Sequence, residues 1–174
     1  GFRVAIDTVL LAAAVSARAG ETVFEPGAGC GAAALCLACR TGCRVVGVEP
    51  QADLVALAVE NARRNGLDSR VAVLAGAIGG PLPEGAAGPF DHAMANPPYQ
   101  PAGQGTPPPD VAKAAAHVED EAALDAWIAV MLAQLRPKGT LTLIHRADRL
   151  DAVLAALGPR TGGVVVFPLW PRRG

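Results

Sequence analysis

The sequence predicts an α/β fold, a mainly parallel sheet with helices on both faces. Three observations carry that reading. Short apolar runs rich in β-branched residues alternate with longer runs at helical spacing, the pattern of right-handed βαβ units. A glycine-rich turn, Gly27-Ala28-Gly29-Cys30-Gly31, joins the first strand to a helix. Apolar residues make up 51% of the 174 residues and charged residues 18%, a composition that packs a core and does not suit a disordered chain. No internal repeat or shift in composition divides the chain, so residues 1–174 read as one domain.

The elements follow in order. Residues 5–18 read as a helix, with Ile6, Val9, Leu10, Ala13 and Ala14 on one face and Asp7 in the first turn. Thr22 to Glu25 is a short strand, and a helix runs from the glycine turn to about residue 41. Arg44 to Val48 is a second strand that stops at Glu49-Pro50. Residues 51–65 form a helix with Gly66 as its C-terminal cap. Val71 to Leu74 is a third strand, and a fourth ends at Asn96 after a loop over 76–89. Residues 97–110 contain six prolines and two glycines and read as a long loop. Leu124, Trp127, Ile128, Met131, Leu132 and Leu135 then mark the core stripe of a helix ended by Pro137 and Gly139. Thr140 to Ile144 is a fifth strand, Asp148 caps another helix, Gly158-Pro159 ends it, and Val164 to Leu169 is a sixth strand.

Composition excludes several roles. Net charge is −1 and lysine occurs only at Lys113 and Lys138, so no global basic field drives nucleic-acid binding, and any such contact needs a local patch. No apolar run is long enough to span a bilayer, and no basic leader marks a signal peptide. Gly1-Phe2-Arg3 and Arg172-Arg173-Gly174 read as trimmed ends. Cys30, Cys36, Cys39 and Cys43 could suggest a metal, but three of them fall three and four apart in an alanine-rich helix with no histidine cluster beside them. They read as small buried thiols on one helical face in a reducing, cytoplasmic setting, and no metal is expected.

Two motifs carry chemistry. In Glu25-Pro26-Gly27-Ala28-Gly29-Cys30-Gly31, glycines permit a tight turn and close approach of a ligand to the backbone. Glu49 ends the next strand, where a carboxylate can accept from two ribose hydroxyls. Gly27-x-Gly29-x-x-Ala32 also meets a loose nicotinamide-dinucleotide pattern, which leaves an oxidoreductase open. Glu25 tilts against it, because a carboxylate there repels a pyrophosphate and suits a ligand bringing an amino group. The second motif is Asn96-Pro97-Pro98-Tyr99. The prolines fix φ and leave carbonyls as acceptors, and they sit beside one side-chain amide and one ring. This set suits a planar substrate bearing an NH2 group.

The first motif resembles motif I of class I S-adenosylmethionine-dependent methyltransferases, which have a Rossmann-like fold. Asn96-Pro97-Pro98-Tyr99 resembles motif IV of their amino-group branch, which methylates adenine N6, cytosine N4 or a glutamine amide. Asn61 to Leu67 resembles the superfamily's usual helix end. Phe2-Arg3-Val4-Ala5-Ile6-Asp7-Thr8-Val9-Leu10-Leu11-Ala12, with Ala116-His117-Val118-Glu119 and Leu124-x-x-Trp127-Ile128, is similar to the bacterial tRNA1(Val) adenine-37 N6-methyltransferases. The resemblance implies that Glu25, Gly27 and Gly29 hold the methionine part of S-adenosylmethionine and Glu49 its ribose, with S-adenosylhomocysteine as product. It implies that Asn96, Pro97, Pro98 and Tyr99 hold an adenine of tRNA or another RNA, with Asn96 also beside the cofactor. The family places an acidic residue after the third strand against the cofactor's adenine; here Ala77 stands there, and the backbone at Ala77-Ile78 would hold the ring. The last strand of the usual sheet is missing from this chain. A glutamine methyltransferase of the release-factor type and a cofactor-binding module without activity are the alternatives. Asp7 reads equally as a partner of its helix dipole or as a neighbour of the cofactor.

Overall fold

The computed structural model of the protein describes residues 5–97, 100–101, 118–119 and 121–170. Pro98, Tyr99, Lys113, Ala116, His117 and the segment Phe2 to Val4 lie outside them. In chain order the elements are α1 (Ile6–Ala14), β1 (Thr22–Pro26), α2 (Ala32–Thr41), β2 (Arg44–Glu49), α3 (Ala52–Arg64), β3 (Val71–Ala75), β4 (Phe90–Ala95), β5 (Gln100–Pro101), β6 (Val118–Glu119), α4 (Glu121–Gln134), β7 (Leu135–Leu143) and α5 (Leu150–Leu157). The expected α/β architecture is present: five parallel strands in the order β3-β2-β1-β4-β7. The chain winds outward from β1 through β2 to β3, then returns to place β4 on the other side of β1. That reversal makes a topological switch point at the carboxyl ends of β1 and β4, where open α/β sheets leave a crevice for ligands.

Burial follows the strand alternation. Val23 faces one side with Val45, Val71, Val73 and Met94, covered by Leu11 and Val15, by Leu37 and Ala38 of α2, and by Ala58 and Ala62 of α3. Phe24 faces the other with Val48, Phe90 and Ala93, covered by Leu124, Ile128 and Met131 of α4 and by Ala156 and Leu157 of α5. Each fully buried side chain of this size stabilises the fold by roughly 1.5–3 kcal/mol. The 124–135 stripe is therefore core as expected. Gly66 adopts φ +65 after α3, with Leu67 N–H donating to Ala62 O at 2.9 Å and Gly66 N–H to Arg63 O at 3.1 Å, a Schellman end.

Several expectations need correction. α1 stops at Ala14 and buries Leu11 and Ala12, followed by Val15, whereas Ile6 and Val9 are exposed. Nearly every residue of α1 is apolar, so periodicity cannot select the face; the groove offered by α2 does. The Arg40 guanidinium closes this end, donating to Ala12 O and Val15 O at 2.9 and 2.6 Å. β7 begins at Leu135, not Thr140, because Leu135 pairs with Phe90 and residues 136–139 bulge out before Thr140 pairs with His92. Asp148 does not cap a helix; it pairs with Arg146 in a 3-10 turn ahead of α5. Residues 164–169 form no strand and are exposed, since none of the described strands pairs with them. Of the thiols, Cys30 and Cys43 are buried but Cys36 and Cys39 are exposed.

Candidate active site

β1 and β4 pair through Phe24 and Ala93. Gly27 and Asn96 each lie three residues beyond that pair, so the glycine turn and the Asn-Pro corner leave the sheet side by side at the switch point. The turn folds over the end of β2: Gly27 N–H and Ala28 N–H both donate to Val48 O, at 2.7 and 3.2 Å. Gly27, Gly29 and Gly31 all have positive φ, +66, +55 and +79, which explains their glycine identity. Space adds to this at Gly27, where a Cβ would sit 2.3 Å from the Trp127 ring. Trp127 thus belongs to the site's wall as well as to the core, a role its place in an apolar stripe concealed.

Glu25 and Glu49 are both buried at this end of the sheet, each 4% exposed. Glu49 ties the turn to the end of β2: its Oε2 accepts from Gly29 N–H at 2.9 Å and its Oε1 from Gln51 N–H at 3.1 Å. Each oxygen keeps a second acceptor position, so the carboxylate can still receive ribose hydroxyls. Glu25 is different. Its Oε2 is buried and has no hydrogen-bond partner. Burial pushes its carboxyl up to about 8, opposed in part by the Ala34 N–H and aided to a lesser extent by the charge of Glu49. A cationic amino group placed there would both donate to that oxygen and restore its charge. A pyrophosphate brings no donor for the unpartnered Glu25 oxygen and would oppose its ionisation. The donor set therefore fits S-adenosylmethionine, whose ends are an ammonium and a ribose, better than a dinucleotide.

At the other wall, Asn96 is half-buried and Pro97 buried at the end of β4. Asn96 Nδ2 donates to Asp7 Oδ2 at 3.2 Å, and Asp7 Oδ1 accepts from Thr8 N–H at 2.8 Å. Of the two readings of Asp7, the structure adds a third, a partner of the Asn96 amide. Ala77 is exposed and Ile78 half-buried just beyond β3, and Glu49 O accepts from Gly76 N–H at 3.1 Å, which brings this segment to the rim beside Glu49. Pro98 and Tyr99 fall outside the described residues. Among the described residues no three His, Cys, Asp or Glu side chains gather to hold a metal ion, and no helix is long and apolar enough to cross a membrane. A cavity of about 380 Å³ lined by Leu124, Asp125 and Asp151 lies between α4 and α5, and neither the glycine turn nor Asn96 lines it.

Comparison with known proteins bears on the family and the fold. A family model described as a methyltransferase domain matches residues 17–157. No curated protein sequence matches the chain. Among solved structures, TrmN from Thermus thermophilus superposes with a TM-score of 0.66 at 24% identity, over 87% of this chain and 40% of that one. A predicted O-methyltransferase, Atu636 from Agrobacterium tumefaciens, gives 0.64 at 23% identity, over 87% and 67%. An RNA methyltransferase from Salinibacter ruber, solved with S-adenosyl-L-homocysteine, gives 0.55 at 16% identity, over 79% and 72%. These likenesses are of fold; the chain spans between 40% and 72% of the three structures' lengths.

Proposed function

Because the chain belongs to the methyltransferase-domain family, we propose that residues 1–174 act as one S-adenosylmethionine-dependent domain that methylates the exocyclic N6 of an adenine in RNA, with tRNA as the favoured substrate. The observation that carries this reading is the side-by-side exit of the glycine turn and the Asn96-Pro97 corner at the β1/β4 switch point. S-adenosylmethionine supplies an electrophilic methyl group and leaves as S-adenosylhomocysteine. Glu25, with Gly27 and Gly29, would receive its methionine end, Glu49 its ribose, and Ala77-Ile78 its adenine ring. Asn96 Oδ1 and the Pro97 carbonyl accept from the two N–H bonds of the target amine. That pairing would turn the nitrogen lone pair toward the methyl group and stabilise positive charge developing on nitrogen; as the nitrogen–methyl bond forms the sulfur–methyl bond breaks, and one amine proton then leaves to solvent. Pro98 keeps the corner rigid and Tyr99 stacks on a base splayed out of the RNA. The similarity to an enzyme named as an RNA methyltransferase and the N-terminal Phe2 to Ala12 resemblance favour RNA over a protein glutamine. Free thiols, two of them exposed, suit a reducing cytoplasm.

The test is transfer of labelled methyl from S-adenosylmethionine to unmodified tRNA, with a glutamine-containing release-factor peptide in parallel. Label in N6-methyladenosine supports the reading; label in the peptide alone moves the enzyme to the glutamine class. Tight cofactor binding with no transfer to either would indicate a binding module. Asn96→Ala should retain cofactor binding and lose at least about a hundredfold in turnover.

A further inference from the structure

We propose that Asp7, at the start of α1, is a positioning residue that fixes which way the Asn96 amide faces. The inference rests on the reading of Asn96 as the acceptor for the target amine. An amide has two unlike ends, a donor NH2 and an acceptor oxygen. Turned over, it would present N–H to the substrate's N–H and repel it. A carboxylate can only accept, so its contact with the amide must be made through nitrogen. Asp7 Oδ2 makes that contact with Asn96 Nδ2 at 3.2 Å. The oxygen, at the other corner of the same planar group, is thereby turned away from Asp7.

Asp7 is itself held. Its other oxygen accepts from Thr8 N–H at 2.8 Å, and it lies in the first turn of α1, where the helix dipole favours a negative charge. α1 is pinned at its far end by Arg40 and buried through Leu11 and Ala12. The carboxylate is therefore a fixed point set by an element 89 residues away from Asn96 in sequence. Its charge also polarises the amide, which makes the oxygen a stronger acceptor.

A reciprocal exchange tests this. Asn96→Asp alone sets two carboxylates in contact. Adding Asp7→Asn restores a donor facing an acceptor, with the roles reversed, and leaves a carboxylate oxygen toward the substrate. The double variant should regain at least tenfold in kcat over Asn96→Asp, with the Kd for S-adenosylmethionine unchanged. Asp7→Ala should lower kcat about 10- to 100-fold without a matching rise in KM or loss of Tm. A readout that needs no methyl acceptor accompanies these: the Asn96 side-chain NH2 signal in the ¹⁵N–¹H spectrum, assigned by its absence in Asn96→Ala, should move to solvent-exposed positions in Asp7→Ala. An unmoved NH2 signal, or an exchange that restores nothing, overturns the proposal. If Asn96→Ala itself keeps full turnover, the reading of Asn96 fails instead, and the two failures are distinguishable.

Discussion

Glu25 carries a cost that pH exposes. Its carboxyl titrates near 8 in the fold because burial disfavours the anion, and at 4.5 when unfolded. Between those values the folded state binds a proton that the unfolded state has released, so stability falls as pH rises through the window, by up to about 1.4 kcal/mol per pH unit. Below 4.5 the penalty vanishes. Urea unfolding at a series of pH values should show Glu25→Gln gaining on the native protein as pH rises from 5 to 8, about the limits of that window. Equal pH dependence of the two would refute a buried neutral carboxyl. Gly27 is the second residue under constraint. Gly27→Ala combines left-handed strain with a collision against Trp127, together roughly 2–5 kcal/mol. Adding Trp127→Leu should recover the collision but not the strain, a partial rescue readable in Tm. Glu25 with the glycines, and Asn96 with Pro97, stood out in the sequence as candidates because each set is a short contiguous motif. The Asp7–Asn96 and Trp127–Gly27 contacts did not, since only tertiary packing brings together residues so distant in the chain.

Among the elements, β1 and β4 are stitched together at the end opposite the site. Asp91 Oδ2 accepts from Thr22 N–H at 2.7 Å and from Thr22 Oγ1 at 2.9 Å, and Arg136 Nη2 reaches Asp91 Oδ1 at 2.9 Å. His92 sits between Glu21 and Thr140, at 3.0 and 2.7 Å from its two ring nitrogens. Asp91→Ala should leave Thr22 N–H without its partner and cost roughly 1–3 kcal/mol in denaturant unfolding. Cofactor affinity should hardly change, because the defect lies at the far end of the strands; a large loss of affinity would contradict that separation. The identities of the helices and of the five sheet strands were readable from periodicity, 164–169 excepted, yet boundaries and faces were less so. The face of α1 depends on α2, and the start of β7 depends on a bulge whose Lys138 takes φ +66, which no local pattern announces.

At the scale of the molecule, alternation of strands and helices announced the open parallel sheet, and the glycine turn and Asn96 stand together beyond the ends of its central strands. Strand order and the failure of 164–169 to join the sheet were beyond reach. The Val164-Val165-Val166 run has high strand propensity, but propensity expresses how a residue packs on neighbours already present. Phe167 and Trp170 are 81% and 87% exposed. Substituting both by serine should change unfolding free energy by less than about 0.5 kcal/mol while reducing self-association seen by light scattering. A drop of several degrees in Tm would mean that the two rings pack against the fold after all.

The two tryptophans also differ optically. Trp127 lies half-buried against the glycine turn, whereas Trp170 stands in water. Their indoles emit from different dielectric surroundings, the buried one toward the blue and the exposed one toward the red. Replacing Trp170 by phenylalanine would leave Trp127, beside Gly27, as the single tryptophan, so that binding at the glycine turn should shift its emission without a label.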